Sequence, residues 1–192
     1  ASGDTNQVLA IDGCTLRLSS ICTKPLNSWF VAQISAKSFE NEVCGDVLYS
    51  CMGTTLKIAG SKKAQFKVDY TYQYEMAESA KHNNVSQLVL VSATGASAKS
   101  MVFYSRIKGE LEENIKKLNF ESTIIVRPSV LIGKRSEKRI GETLSIGVIG
   151  FMSKLIPPLK KYRGIKGEEV AMAMLNLSNG RVEKFLIVEL DK

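Results

Sequence analysis

The stretch Val91–Lys108, VSATGASAKSMVFYSRIK, decides how the rest of the chain is interpreted. It begins at the end of an apolar strand, crosses a polar loop and enters a helix that carries Tyr104 and Lys108. Because these residues are four apart, a helix places both side chains on one face. Ser92 follows the strand directly, a dozen residues before the tyrosine. The stretch therefore predicts a hydroxyl, a phenol and an amine grouped beyond the end of one strand.

This grouping indicates proton transfer. A phenol has an ordinary pKa of roughly 10, so it acts as an acid or base near neutrality only if its phenolate is stabilised. The Lys108 ammonium could stabilise it, and Ser92 could hold the reacting oxygen by a hydrogen bond. We therefore expect proton transfer to or from a substrate carbonyl or alcohol. An isolated Tyr-x-x-x-Lys pair is more often a surface tyrosine beside a solvated lysine, so the interpretation depends on the neighbouring segments.

Composition narrows the classes of partner. The 192 residues are 44% hydrophobic, which predicts one globular domain with a substantial core. The formal charge is +7, but the lysines are interspersed with acids, as in KGELEENIKK at Lys108–Lys117. Such mixing predicts a solvated surface that suits a phosphorylated cofactor, and no nucleic acid. The apolar run Ile146–Leu159 is interrupted by Lys154 and Pro157 and is shorter than the ~20 residues of a membrane helix. We expect neither a membrane partner nor a secretory signal.

Cysteine and histidine usage argues against two kinds of site. The four cysteines, at positions 14, 22, 44 and 51, have no C-x-x-C spacing, and the single histidine is His82. We therefore expect no metal site and a reduced, cytoplasmic setting. A serine hydrolase would have to use His82, and the chain has no G-x-S-x-G motif.

The first strands conflict with a simple dinucleotide-binding unit. Gln7–Ile11 predicts a strand, and Asp12–Thr15 (DGCT) follows where a tight glycine turn and a helix are expected. Instead the chain enters a second strand-like stretch, Leu16–Cys22. So few residues cannot join parallel strands. Either the pair is not a parallel unit, or a segment is missing from the sequence; we favour the second alternative.

The remaining pattern predicts an α/β domain. Strands that alternate with helices imply three layers, with a mainly parallel sheet and helices on both faces. We expect a single domain over residues 1–192, with a small substrate-side extension at about 133–183. In the last helix we expect Val170, Met172, Met174 and Leu175 to face the core. The other predicted strands are Trp29–Ile34, Asp46–Ser50, Leu88–Val91, Ser122–Val126 and Phe185–Leu190, and the predicted helices are Ser61–His82, Tyr104–Leu118, Ile146–Leu155 and Glu168–Leu177.

Three segments resemble a known family. They are CMGTTLKIAGS at Cys51–Ser61, VSATGASAKSMVFYSRIKGELE at Val91–Glu112 and RPSVLIGKR at Arg127–Arg135. In order and spacing they resemble the atypical short-chain dehydrogenase/reductases, an NAD(P)-binding Rossmann family that includes bacterial oxidoreductases and the human Tat-interacting protein. The resemblance runs from about Cys51 to Lys192. Upstream, IDGCT at Ile11–Thr15 is similar to the start of the family's glycine motif.

The resemblance implies catalytic roles. Tyr104 would be the catalytic acid/base, and Lys108 would lower its pKa and bind the nicotinamide ribose. Ser92 would orient the substrate carbonyl. Thr94 is the rival for that role, because some extended relatives have the hydroxyl two residues later.

The resemblance also implies a cofactor site. Gly13 would line the pyrophosphate turn, and Gly53 would approach the adenosine side. Pro128 and Ser129 would lie near the nicotinamide. Lys24, in TKPL after the second strand, would favour NADP over NAD.

Three features depart from the family pattern or could mislead. The later glycines of the motif are missing. Asp69 stands where ordinary members often have an asparagine that assists a proton relay. Asp12 could be mistaken for a ribose-binding acid, but it precedes Gly13 at the end of the first strand.

The expected activity is that of an NAD(P)(H)-dependent oxidoreductase that transfers hydride between nicotinamide and a small carbonyl or alcohol. NADPH is the preferred cofactor and NAD the alternative. The chief rival is a dinucleotide-binding regulatory or interaction protein without turnover, since fold does not fix function. A nucleotide-sugar epimerase or dehydratase ranks lower, because the part after Gly133 is small for a sugar-nucleotide domain. The helix Tyr104–Leu118 could pack in a homodimer or within the chain, and the sequence does not separate the two.

Overall fold

A six-stranded sheet organises the chain in this computed structural model, which describes residues 8–12, 16–18, 43–132, 164–180 and 183–190. The strand order is β2-β1-β3-β4-β5-β8. Strands β1 and β2 pair antiparallel, and every other pairing described in this sheet is parallel. The strands are β1 Val8–Asp12, β2 Leu16–Leu18, β3 Val47–Cys51, β4 Gln87–Val91, β5 Ser122–Pro128 and β8 Phe185–Leu190.

Helices lie between β3 and β4, between β4 and β5 and between β5 and β8 along the described chain. Residues 62–82 form one continuous helical segment after β3. Within it, a π-helical turn at Lys67–Thr71 replaces the α-helical hydrogen bonds. A small parallel pair, β6 Leu131–Ile132 and β7 Ile165–Lys166, lies outside the main sheet. The helices are α1 Leu56–Ala59, α2 Lys62–Phe66, the π-helical turn π1 Lys67–Thr71, α3 Tyr72–His82, α4 Phe103–Lys117 and α5 Gly167–Ser178. No helix in the described ranges is long and apolar enough to cross a membrane.

The sheet has a core on each face, because successive residues of a strand point to opposite sides. Leu48 and Leu88 belong to the cluster that contains residues of α3 and α4. Their neighbours Tyr49 and Val89 belong to the cluster that includes Val170 of α5. Helices therefore cover both faces of a mainly parallel sheet, which confirms the predicted three-layer α/β fold.

The hairpin at β1 and β2 resolves the conflict in the sequence. Leu9 pairs with Leu18 and Ile11 with Leu16 in an antiparallel register, so a short connection is sufficient. The pair is thus the first of the two alternatives, a unit that is not parallel. The idea of a missing segment is not needed to explain how these strands connect.

Other predicted elements agree to within one or two residues where they are described. The last helix is an exception in its core positions, because Val170 and Met174 are buried whereas Met172 and Leu175 are 59% and 44% exposed. Positions 170 and 174 are one turn apart on one face, and 172 lies on the opposite side of the helix. The predicted strand Trp29–Ile34 and helix Ile146–Leu155 lie outside the described residues.

Gly109 lets α4 approach the loop that follows β4. A Cβ atom at this position would lie 2.2 Å from the backbone nitrogen of Ala98 and 2.2 Å from the backbone carbon of Ser97. The loop backbone therefore occupies the space that a side chain would need. This contact fixes the loop between Ser92 and Tyr104 against its own helix.

We expect Gly109→Ala to destabilise the protein, because the methyl group must push α4 away from the loop. Overpacking of this kind costs about 1–3 kcal/mol, measured as the free energy of unfolding in urea. Gly167→Ala is the matched control, since nothing lies within 4 Å of its added Cβ atom. Equal stability of the two variants would contradict the close approach.

Candidate functional site

The side chain of Lys108 extends into the interior beside the carboxyl end of β3. It is only 2% exposed, and its Nζ lies 3.4 Å from Oδ1 of Asp69. The same nitrogen donates to the backbone carbonyl oxygen of Met52 over 3.4 Å. Met52 follows the last residue of β3, so the amine joins α4 to this edge of the sheet.

Asp69 lies in the π-helical turn and is completely buried. Its two carboxylate oxygens accept from the backbone N–H of Thr54, over 3.4 and 3.3 Å. Gly53, which is exposed, lies directly beside it, because a Cβ atom on that glycine would be 3.3 Å from Oδ1. Single π-helical turns inside α-helices often occur at functional sites. Here the turn holds a carboxylate between the loop after β3 and the amine of Lys108.

Burial opposes both charges of this pair. Desolvation raises the pKa of Asp69 above its ordinary value of 3.8, and the nearby Lys108 ammonium partly offsets the rise. Desolvation lowers the pKa of Lys108, and the Asp69 carboxylate partly restores it. Each group therefore offsets part of the burial penalty on the charge of the other.

Tyr104 shares the helical face of Lys108 but lies at a different depth. The phenol is in the first turn of α4 and is 39% exposed, whereas the amine one turn along is buried. In a parallel α/β sheet, the helix after a strand begins at the edge formed by the carboxyl ends of the strands. Tyr104 is thus a side chain that a ligand at this edge could reach.

Ser92 contacts a partner that the sequence did not indicate. Its hydroxyl donates a short hydrogen bond to Oε1 of Glu112, on α4. Arg127 donates to the same carboxylate through Nε, over 3.0 Å to Oε1, and through Nη2, over 2.5 Å to Oε2. Hydrogen bonding to Glu112 is the main reason that the pKa of Arg127 is raised. Ser92 and Glu112 are 4% and 5% exposed, so this polar cluster is buried.

Thr94, Pro128 and Ser129 lie at the carboxyl end of β5. The hydroxyl of Thr94 donates to the carbonyl oxygen of Pro128 over 3.1 Å, and so does its backbone N–H over 3.1 Å. Ser129 donates its backbone N–H to Leu190 over 3.3 Å. Both candidate hydroxyls, Ser92 and Thr94, therefore donate to acceptors within the protein.

The structure brings most of the predicted site residues to one edge of the sheet. Ser92, Lys108, Gly53, Pro128 and Ser129 lie at or next to the carboxyl ends of β3, β4 and β5, and Tyr104 begins the adjoining helix. Gly13 and Lys24 lie outside the described residues. In the described ranges, no three His, Cys, Asp or Glu side chains cluster as metal ligands.

Sequence reasoning missed Glu112 and Arg127 as partners of Ser92. The available signal was the spacing of Glu112, which is four residues beyond Lys108 and eight beyond Tyr104, on the same face of α4. The sequence around Arg127 did not indicate its role. It follows an apolar strand, and its partner Glu112 lies on a different element. Such a pairing becomes visible only when β5 is placed beside β4.

The residues at this edge fit the adenosine side of a dinucleotide. Strands β1 and β3 are neighbours and end together, with Asp12 opposite Cys51, and the exposed Gly53 leaves its backbone accessible beyond them. Carboxyl ends of parallel strands are the usual binding edge in such sheets. The pyrophosphate bridge fits less well, because β1 is followed by the antiparallel strand β2 and not by a helix whose N-terminus could receive phosphates.

Comparison with known proteins identifies relatives by sequence. The family model described as HIM1 matches residues 37–161. "Protein fmp52, mitochondrial" from Emericella nidulans is 36% identical over 140 residues, which cover 71% of this chain and 60% of the relative. "Protein FMP52-1, mitochondrial" from Scheffersomyces stipitis is 36% identical over 170 residues, which cover 88% and 72%. The chain thus spans less than two thirds of the length of the Emericella protein.

Solved structures share the fold at low sequence identity. "MoeE5 in complex with UDP-glucose and NAD" superposes with a TM-score of 0.59 at 8% identity, over 84% of this chain and 61% of that one. A dTDP-4-dehydrorhamnose reductase from Bacillus anthracis, in complex with NADP, superposes with a TM-score of 0.54 at 15% identity, over 98% and 86%. A UDP-galactose 4-epimerase gives 0.57 at 14% identity, over 81% and 59%. At such low identities, these superpositions establish the fold alone. It is the Rossmann-type fold of NAD(P)-binding epimerases and reductases.

The expected cytoplasmic location is wrong. Relatives that are 36–38% identical to this chain are named as mitochondrial proteins. The absence of paired cysteine spacings predicted reducing surroundings, but that signal does not distinguish one intracellular compartment from another.

We expect Lys108→Met to be less stable at about pH 8 than at about pH 5, relative to the wild type. The substitution leaves the Asp69 carboxylate buried without its cation, a change that costs about 3–5 kcal/mol when the group is ionised. Because the folded-state pKa of Asp69 is raised above 3.8, stability falls as the pH rises through that pKa, and protonation in acid relieves the cost. Urea unfolding at both pH values measures the effect.

The double variant Asp69→Asn/Lys108→Met is the control. It has no carboxylate at position 69, so the added pH dependence should disappear. If Lys108→Met alone has the pH dependence of the wild type, the pair does not carry buried charge.

Proposed function

The chain belongs to the HIM1 family, and we propose that it is an NAD(P)(H)-dependent oxidoreductase of the short-chain dehydrogenase/reductase type. Hydride would be transferred between the nicotinamide and a small carbonyl or alcohol, with NADPH preferred over NADH. Since the curated relatives are named as mitochondrial proteins, we place its activity in mitochondria. Residues 1–192 would form one domain, with residues 133–183 on the substrate side.

One observation carries the proposal. Tyr104 and Lys108 share a face of α4 at the carboxyl edge of the sheet, where the phenol is accessible and the amine is buried beside Met52. A buried cation one turn from a phenol stabilises its phenolate, which is the condition for acid–base chemistry near neutral pH. A surface tyrosine beside a solvated lysine would have shown both side chains in water.

The residues of the chain would have separate tasks. Tyr104 would give a proton to the substrate oxygen during reduction, or take one during oxidation. Lys108 would favour the phenolate form of Tyr104, and a hydroxyl of Ser92 or Thr94 would orient the substrate. Gly53, Pro128 and Ser129 would contact the dinucleotide, which supplies the hydride chemistry when it is bound.

A second candidate function is a dinucleotide-binding regulatory protein without turnover. The observation that favours it is that several candidate catalytic groups are bonded to other groups within the protein. Lys108 is paired with Asp69, Ser92 donates to Glu112, and Thr94 donates to Pro128. A protein that kept the fold for binding alone could retain such internal contacts. The epimerases among the structural neighbours share the fold only, and they add no argument for epimerase activity.

We expect Tyr104→Phe to lower NADPH oxidation by about 10²- to 10⁴-fold, because the substrate oxygen loses its proton donor. The assay uses a panel of aldehydes, ketones and quinones. Binding of NADPH should be retained. Tyr70→Phe is the matched control. The Tyr70 hydroxyl accepts from Asn114 over 2.8 Å, and Tyr70 lies in π1, whereas Tyr104 lies in α4.

The same assay separates the two functions. Wild-type protein that binds NADPH but oxidises it with no member of the panel would favour the regulatory protein. Full activity in Tyr104→Phe would exclude the proposed role of the phenol.

NADPH should stabilise the protein against heat more than NADH does. A ligand present at 100 times its Kd stabilises the folded state by about 2.7 kcal/mol, so a difference in affinity appears directly as a difference in Tm. Lys24→Ala should reduce the preference by removing a cation for the 2′-phosphate, whereas Lys63→Ala, an exposed lysine on α2, should not. Equal shifts with both nucleotides would contradict the preference for NADPH.

A further inference from the structure

A single carboxylate joins three elements of the structure. Glu112 lies on α4, and its Oε1 accepts from the hydroxyl of Ser92, which directly follows β4. Both oxygens of Glu112 accept from the guanidinium of Arg127 on β5. The helix that carries Tyr104 and Lys108 is therefore bonded to the carboxyl ends of two neighbouring strands through one side chain.

These bonds fix the direction of the Ser92 hydroxyl. A serine has one O–H proton and two lone pairs, whereas an ionised carboxylate can only accept. Both oxygens of Glu112 accept from the Arg127 guanidinium, as those of an acceptor-only carboxylate do. The proton of Ser92 is thereby committed to Glu112, and only its lone pairs remain for other partners.

Glu112 also shares the face of the reacting residues. Tyr104, Lys108 and Glu112 follow at steps of four, and helical side chains lean towards the N-terminus of their helix. The carboxylate of Glu112 therefore extends from its own turn towards that of Lys108. Burial lowers the pKa of Lys108, and the charge of Glu112, like that of Asp69, opposes this effect.

We infer that Glu112 is a positioning residue for the proposed reaction. Through its bond to Ser92, it makes that hydroxyl a hydrogen-bond acceptor for the reacting groups. This inference rests on the proposed oxidoreductase function. It also changes the role expected for Ser92, because a hydroxyl in this state can accept from an alcohol or a phenol but cannot donate to a carbonyl oxygen.

Glu112→Gln tests the inference. The amide replaces one carboxylate oxygen with an NH2 donor, so it cannot accept from Ser92 and from both nitrogens of Arg127, and the serine hydroxyl loses its charged acceptor. We expect kcat to fall by about 100-fold with the carbonyl that gives the fastest NADPH oxidation, because small displacements of reacting groups have effects of that size. The KM for NADPH should stay within about twofold, since Glu112 orients reacting groups and is not proposed to hold the cofactor.

The test is completed by a double-mutant cycle with Ser92→Ala. If Glu112 acts through Ser92, then Glu112→Gln should lower kcat by less than about threefold in the Ser92→Ala background. Glu189→Gln is the matched control. Glu189 accepts from the same guanidinium, through Nη1 over 2.9 Å, but it does so from the edge strand β8. Its kcat should remain within about twofold of the wild type.

A variant with an unpaired arginine can lose stability, so each protein is first compared by thermal unfolding. If Glu112→Gln does not fold, Ser92→Ala carries the test alone, because it removes no buried charge. It should reproduce the loss of kcat at an unchanged KM for NADPH.

Each remaining outcome would overturn the inference. Losses that multiply fully in the double variant, or an equal loss in Glu189→Gln, would show a general structural effect, while leaving the oxidoreductase function intact. An unchanged kcat in Ser92→Ala would also overturn the inference and leave the oxidoreductase function intact. No turnover by wild-type protein with any member of the panel would remove the proposed function together with this inference.

Discussion

The buried ion pair between Lys108 and Asp69 is the constraint on which the site depends. Neither side chain is more than 2% exposed, and the two atoms that meet are 3.4 Å apart. Removing one partner of such a pair costs about 3–5 kcal/mol, because the other charge is left without solvent or counter-ion. The amine therefore cannot leave Asp69 without a new partner. This requirement fixes α4 against both the π-helical turn and the loop after β3.

The pairing also changes what Lys108 can do to Tyr104. Beside a neutral amide, a lysine would act on the phenol with its full positive charge. Beside Asp69, part of that field is cancelled at close range, so the phenol is made less acidic than by an unpaired ammonium. The accessible position of Tyr104 then becomes important, because a bound ligand would exclude water and strengthen the remaining field. A single carboxylate in the π-helical turn thus links the packing of the helices to the chemistry of the phenol.

The fold could be predicted from the sequence where a signal was local. Strands such as Ser122–Val126 and the helix after Val102 are marked by apolar period and by turn residues, and they occur where expected. The antiparallel pairing of β1 with β2 was harder to predict from the sequence, because the resemblance predicted a parallel crossover that the short connection cannot form. The contacts of Ser92 with Glu112, and of Asp69 with Lys108, link residues 20 and 39 positions apart. Such contacts depend on how the helix is rotated against the sheet, and no local pattern specifies that rotation.

The charges of the site and of the surface have different consequences. The two cations of this cluster, Lys108 and Arg127, are each paired with a carboxylate, Lys108 with Asp69 and Arg127 with Glu112. This centre carries little net charge, so it orients a ligand more than it attracts one. The sequence as a whole carries +7, and exposed lysines such as Lys63 contribute to it. Long-range attraction of a phosphorylated cofactor would therefore come from the surface and weaken with salt, whereas orientation by the buried pairs would be screened much less.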